Sequence, residues 1–147
     1  MKYLSILFLL LVSSKVFSGS CLGISNFEEV ISSNNTLIHV KVIRTGSPFE
    51  VDFEVLTVYK GSDLPKVITA KSVPMQLTVI SPSNMKMSSE YIVALTAWES
   101  GFQLPICGNN AALVKNNNLY LRDMSVRDKL KFDFYMPLIE FSAMFSL

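Results

Sequence analysis

The stretch of the chain at 51–61, VDFEVLTVYKG, constrains the fold more than any other. One face of this stretch would carry Val51, Phe53, Val55, Thr57 and Tyr59. The other would carry Asp52, Glu54, Leu56 and Val58. Alternation with a period of two is typical of a half-buried β-strand. The second face begins charged and ends apolar, which predicts that the strand runs from a solvated edge into a more covered position. Residues 60–63, KGSD, are typical of a turn and end the strand.

The first 20 residues have the layout of a secretory signal peptide. Lys2 precedes an apolar run at 4–12, LSILFLLLV, and small residues follow it. The run is too short to span a bilayer. Cleavage after Ser18 and cleavage after Ser20 both satisfy the small-residue rule, and the second makes Cys21 the mature N-terminus. We therefore predict a secreted or periplasmic protein, and lipidation of Cys21 is a less favoured alternative.

The charge of the chain is balanced, with 13 basic and 12 acidic residues and no basic stripe. This balance argues against nucleic acid or an anionic membrane as the main partner. The chain has two cysteines, Cys21 and Cys107. In an exported protein an even number of cysteines predicts a disulfide, and two free thiols are the alternative.

Two helices are predicted, one at each end of the mature chain. Asn26, followed three residues later by a glutamate, forms a capping box for a first helix at 27–31. A second helix can start at Ser125 and reach Phe134, because apolar residues recur there at a spacing of four. Pro137 would end or kink it, and the apolar tail after it would pack on the rest of the domain.

Strand patterns recur between the two helices. Besides the anchor stretch, they lie at 36–44, 66–71, 90–98, 102–107, 111–114 and 119–121. The segment 90–98, EYIVALTAW, is so apolar that it predicts a strand covered on both faces. Tight turns, such as the one predicted from three asparagines at 115–118, predict antiparallel neighbours. We therefore predict one domain at 21–147, all-β with flanking helices, in which five or six strands close into an OB-like barrel at about 36–108. A β-sandwich is the alternative. In the barrel, we expect Tyr59 and Val93 to be buried.

Several blocks along the chain carry a family resemblance. They are Cys21 directly after the signal peptide, FEEVI at 27–31, LIHVKVI at 37–43, FEVLTVYKG at 53–61, EYIVAL at 90–95 and ICG at 106–108. In these blocks the chain resembles the family of tissue inhibitors of metalloproteinases (TIMP) and netrin-like (NTR) domains, in a short single-domain form. The resemblance covers roughly 21–108 and implies an OB-like barrel.

The chain departs from the family in its cysteines. The family usually begins Cys-x-Cys, and here the third residue is Gly23. A further family cysteine, expected near 75–79, is also missing. Each family bridge therefore lacks one partner, and the resemblance implies a single re-paired bridge between Cys21 and Cys107. This bridge would tie the N-terminal segment to the last barrel strand.

The resemblance also implies a possible activity. In the inhibitors of this family, the amine and carbonyl oxygen of the first cysteine chelate the catalytic zinc of the protease. Here Cys21 would bind that zinc in trans, Leu22 would enter the specificity pocket, and Gly23 would continue the inhibitory ridge. We prefer a purely disulfide-forming role for Cys21, because a resemblance in fold does not imply the same function. The sequence thus predicts an exported non-enzymatic binding module for a protein partner, with metalloproteinase inhibition as the alternative.

An enzyme is the least favoured interpretation. His39 is the only histidine, and without a nearby cysteine or carboxylate cluster it is predicted to be a strand residue rather than a metal ligand. The chain has no G-x-S-x-G motif and no glycine-rich phosphate loop, so we expect no cofactor. Tyr91, Trp98 and Phe102 are predicted to be core residues rather than a ligand platform.

Overall fold

The computed structural model describes residues 26–72, 80–98, 101–105, 109–122 and 131–146. This part of the chain is mostly β-structure, with a short helix before the strands and another after them. In chain order the elements are α1 (Phe27–Ser33), β1 (Thr36–Ser47), β2 (Glu50–Lys60), β3 (Val67–Lys71), a 3-10 turn (Pro82–Asn84), β4 (Glu90–Trp98), β5 (Gly101–Gln103), β6 (Ala111–Lys115), β7 (Asn118–Arg122), β8 (Phe132–Pro137) and α2 (Leu138–Ala143).

Five strands close into a barrel, as the sequence predicted. The hydrogen-bonded order is β1-β2-β3-β5-β4, and β4 pairs with β1 to complete the ring. The expectation of antiparallel neighbours throughout is wrong for one pair, because β3 and β5 run parallel, with Ala70 opposite Phe102. An odd number of strands cannot alternate direction all the way around a closed ring, so one pair has to be parallel.

Three further strands extend the sheet from the barrel. On one edge of β4, β5 pairs near the end of that strand and β6 pairs near its start, and β7 and β8 lie farther outward. The turn between β6 and β7 was predicted from its three asparagines. Asn116 and Asn117 both have positive φ, at 51° and 59°, and asparagine tolerates this conformation better than most residues.

The predicted second helix is wrong where the structure can be compared with it. Its first part, at 123–130, lies outside the described residues, and Phe134 belongs to strand β8. The free edge of β7 pairs with β8, and this pairing outweighs the local spacing of four. Pro137 then precedes α2 instead of ending a helix, with a φ of −61° that suits a helix start.

The interior of the barrel forms a first hydrophobic core. Its fully buried members include Ile38, Val40, Val51, Phe53, Val93, Leu95 and Leu104. The prediction that Val93 is a barrel-core residue is therefore confirmed. The whole segment from Tyr91 to Leu95 is buried, as a strand covered on both faces requires.

A second hydrophobic core lies on the outside of the barrel. It packs α1 and the C-terminal elements against the outer faces of β1, β4 and β6. Its buried members are Phe27, Val30, Ile31, Leu37, Ile92, Ala94, Ala112, Leu119 and Phe141. The apolar C-terminal tail thus packs on the barrel, as predicted.

Tyr59 is half-buried and packs against this second core, not in the barrel interior where it was predicted to be buried. Two register shifts in the β1–β2 pair explain the error. Val40 pairs with Val55 but His39 pairs with Thr57, and a second shift leaves Tyr59 itself without an opposite residue. Such bulges turn the side chains that come after them.

The second face of β2 also differs from its prediction. Its apolar end is the exposed part, because Leu56 and Val58 are 42% and 36% exposed. Its charged end is partly covered: Arg44 Nε and Thr69 Oγ1 both donate hydrogen bonds to Asp52. The bond from Arg44, followed by that from Thr69, lowers the pKa of Asp52. Charge therefore marks the covered end of this face.

No helix in the described part of the chain is long and apolar enough to cross a membrane.

Candidate functional site

The residues that the sequence singled out for a site lie outside the described part of the chain. They are Cys21, Leu22, Gly23 and Cys107. The Cys21–Cys107 bridge and zinc chelation by Cys21 therefore stay predictions. The structure does describe the chain from Asn26 onward, three residues after Gly23. Asn26 caps α1 by accepting a hydrogen bond from the Glu29 amide at 2.8 Å, as the sequence predicted, and the helix begins there with its first side chain fully buried.

A pocket of about 480 Å³ opens at one end of the barrel, where β1 begins and β2 and β4 end. We call it the barrel-end pocket. Among the described residues, its apolar lining consists of Leu64, Ala97 and Phe102. The rest of its lining is polar or glycine, from Asn35, Thr36, Gly61, Ser62 and Gly101.

The apolar and polar groups of this pocket have different surroundings. Leu64 and Phe102 are half-buried and pack against the barrel core, and we call them the apolar floor of the pocket. Thr36 is also nearly covered, whereas Ser62 and Ala97 are exposed. These lining residues carry no charge, and their hydrogen-bonding groups are the Asn35 side-chain amide, the hydroxyls and the backbone groups. The pocket is therefore suited to a neutral ligand with an apolar part.

Gly61 is needed to build this end of the barrel. Its φ of +116° is a conformation that L side chains rarely adopt. A Cβ atom at this position would also lie 3.2 Å from the carbonyl oxygen of Asn35. The glycine of the YKG block therefore lets the end of β2 pass close to the start of β1.

Lys60 joins the same corner to α1. Its Nζ donates to the carbonyl oxygens of Ile31 and Ser32, each at 3.2 Å. These carbonyls end α1, where a positive charge is favourable. Asn34 adds a second tie, because its Oδ1 accepts a hydrogen bond from Thr96 Oγ1 at 2.7 Å. Both contacts hold the end of α1 against the strands beside the pocket.

An exposed tryptophan stands beside the pocket. Trp98 pairs with Gly101 in the β4–β5 hairpin and is 54% exposed. The prediction that it lies in the core is therefore wrong, because β4 runs past the cover of both cores after Leu95. Tyr91 is buried as predicted, and Phe102 is half-buried.

His39 is a strand residue in β1, as predicted. It is nearly buried, and its Nε2 lies 2.9 Å from Glu90 Oε2 on the neighbouring strand β4. Within the described ranges, no group of three or more histidine, cysteine, aspartate and glutamate side chains is placed to hold a metal ion. His39 therefore serves, through its contact with Glu90, to connect strands β1 and β4.

The barrel-end pocket is not evident from the amino-acid sequence. Its lining comes from four separate places: the start of β1, the turn after β2, the end of β4 and the start of β5. The YKG block was the one available signal, since its glycine shapes the corner. Comparisons of the chain with the known protein families, with curated proteins and with solved structures find no match.

Proposed function

We propose that this chain is an exported, non-enzymatic binding module of the TIMP/NTR-like type and that it binds a protein partner. The closed five-stranded barrel, with a helix directly before β1, supports the proposal because it is the architecture that the family resemblance implies. The balanced charge of the sequence supports a protein partner over nucleic acid.

The observation that carries this proposal is an exposed tryptophan next to an open, uncharged pocket. Tryptophan is enriched among the residues that contribute most to protein–protein binding, and such residues cluster around pockets. Trp98 directly follows the pocket-lining Ala97 and pairs with the lining residue Gly101, so a partner surface that extends around the end of β4 can contact both Trp98 and the pocket. The apolar end of the β2 outer face, at Leu56 and Val58, offers further contact area.

A selection experiment tests the binding function. The mature chain, beginning at Cys21, would be immobilised and used to select peptides from a displayed random library. Synthetic versions of the enriched peptides should bind the folded chain, fail to bind the heat-unfolded chain and remain uncleaved on prolonged incubation. Cleaved peptides would favour an enzyme, and no enrichment over an unrelated barrel of similar size would contradict the proposal.

Inhibition of a zinc metalloproteinase is the second candidate function. The observation that favours it is the firm anchoring of the chain just after the proposed chelating terminus, by the Asn26 cap and the buried Phe27 ring. If the predicted Cys21–Cys107 bridge also pins the terminus, the terminus loses less entropy when it binds. Cys21 would supply an amine and a carbonyl oxygen to the zinc of the protease, and Leu22 would occupy its specificity pocket.

A matched pair of proteins tests the inhibitor function. One begins at Cys21 and the other carries an extra alanine before it, and both are titrated against a panel of zinc endopeptidases. The inhibitor function requires inhibition by the first protein and a large loss with the second, because the extension removes the free amine from Cys21. Equal potency would show that the terminus is not the inhibitory group.

A further inference from the structure

We infer that the barrel-end pocket binds an uncharged apolar side chain, such as leucine or phenylalanine, from an extended peptide segment of the protein partner. This inference rests on the proposed function and adds to it the class of segment recognised. It is drawn from the charge, the hydrogen-bonding groups and the size of the pocket.

The charge of the pocket selects against a charged side chain. The described residues of its lining are all neutral, so a charged side chain moved from water into the site would find no opposite charge among them. The floor instead offers the side chains of Leu64 and Phe102, which are backed by the barrel core. An apolar side chain placed on this floor removes apolar surface of both molecules from water, which favours binding.

The hydrogen-bonding groups of the pocket suit a peptide backbone. Within the described residues, the hydroxyls of Thr36 and Ser62 make no hydrogen bond to the protein. Gly101 also lines the pocket, and without a side chain it leaves its own backbone open to a ligand. A Cβ atom at Gly101 would meet nothing within 4 Å. Peptide groups on either side of the bound side chain can therefore approach these donors and acceptors closely.

The size of the pocket agrees with a side chain and its flanking peptide groups. Its volume of about 480 Å³ falls in the range of roughly 300–1,000 Å³ that is usual for sites of small ligands. The pocket is open to solvent on one side, so a segment that continues in both directions can enter it.

The probes for the test are five blocked tripeptides, Ac-Gly-Xaa-Gly-NH2, in which Xaa is Leu, Phe, Gly, Lys or Glu. Binding would be followed through the fluorescence of Trp98, which is the only tryptophan in the chain, and through the amide NMR signals of Ser62, Gly101 and Phe102. We expect the Leu and Phe peptides to bind with a Kd on the order of 1 mM. The other three should bind at least tenfold more weakly.

Two variants separate the pocket from the rest of the surface. Ala97→Phe places a ring at an exposed position of the pocket lining and should weaken binding of the Leu peptide at least tenfold. Thr57→Phe adds the same ring at an exposed position of β2 outside the pocket and should leave binding unchanged. Thermal unfolding by circular dichroism would establish that both variants fold.

The outcomes distinguish this inference from the proposed function. Peptides that bind Ala97→Phe as tightly as wild type, or Lys and Glu peptides that bind as tightly as the Leu peptide, would overturn the pocket assignment. If library-selected peptides still bound the folded chain in that case, the binding function would stand with a different site. If no peptide of either kind bound, both would be contradicted.

Discussion

The two hydrophobic cores of this protein are built in different ways. The barrel core is made mainly of aliphatic side chains from strands that pair all the way around a ring. The outer core depends on a few aromatic rings: Tyr59 packs edge-on against Phe141 at 5.5 Å, and Phe27 lies 6.2 Å from the same ring. Stability of the first core is therefore shared among many backbone and side-chain contacts, whereas the second relies on a small number of large side chains.

Strands β1 and β4 belong to both cores, which explains their apolar sequences. In β4, Val93 and Leu95 face the barrel interior, and Ile92 and Ala94 face the outer core. These shared strands connect the two cores. Substitutions confined to one core therefore show whether that core can unfold while the other stays folded.

The largest expected effect comes from the predicted Cys21–Cys107 bridge, because it would join the segment before α1 to the chain after β5. In the chain-entropy model it stabilises the fold by roughly 4–5 kcal/mol. The folded, non-reduced protein should show no alkylatable thiol by mass spectrometry, and reduction should lower its unfolding temperature. Two alkylated cysteines, or Cα atoms more than about 7 Å apart in an experimental structure, would contradict the bridge.

Val93→Asp should break the barrel core. A carboxylate at this fully buried position has no partner in the apolar interior, so the loss of unfolding free energy should be on the order of 3 kcal/mol or more. Urea denaturation measures it. Thr57→Asp, which adds the same charge at an exposed position of β2, should cost less than about 1 kcal/mol. Similar stabilities for the two variants would show that the assignment of β4 is wrong.

Phe141→Ala should loosen the outer core and leave the barrel largely intact. Removal of this fully buried ring should cost roughly 3 kcal/mol. In hydrogen exchange, amides of α1 and α2 should lose protection, while those of Val51 and Phe53 in the barrel keep theirs. Ile139→Ala on the same helix is the control, since Ile139 is 79% exposed. Equal loss of protection in both cores would show that they unfold as one unit.

The smallest effect concerns a tyrosine at the edge of the outer core. Burial, reinforced by its hydrogen bond to the Glu28 carboxylate, raises the pKa of Tyr135 to about 12 from 10.0. Because the Tyr135 pKa is higher in the folded state, the contribution of this residue to the free energy of unfolding is complete below pH 10. It is lost as the pH rises through 12. Glu28→Gln should lower the Tyr135 pKa, measured by NMR titration, without changing that of Tyr91. An unchanged Tyr135 pKa would leave burial as the sole cause.

Local patterns predicted much of the secondary structure, because they depend on neighbours in the chain. The Asn26 cap, the alternating start of β2, the doubly covered part of β4 and the asparagine turn between β6 and β7 are all of this kind. The closed barrel was predicted from the number and spacing of such strands. The candidate site was not, because its lining is drawn from four places that only the closed barrel brings together.

The sequence by itself determined which residues form most of the strands and that these strands enclose a core, since alternation and turn chemistry act over a few residues. The tertiary structure decided the parallel β3–β5 pair, the strand at Phe132–Pro137 and the placement of Tyr59. The physical reason in each case is non-local. Closing a ring of five strands imposes a parallel pair, the free edge of β7 takes up a segment with helical spacing, and bulges against β1 turn Tyr59 out of the barrel.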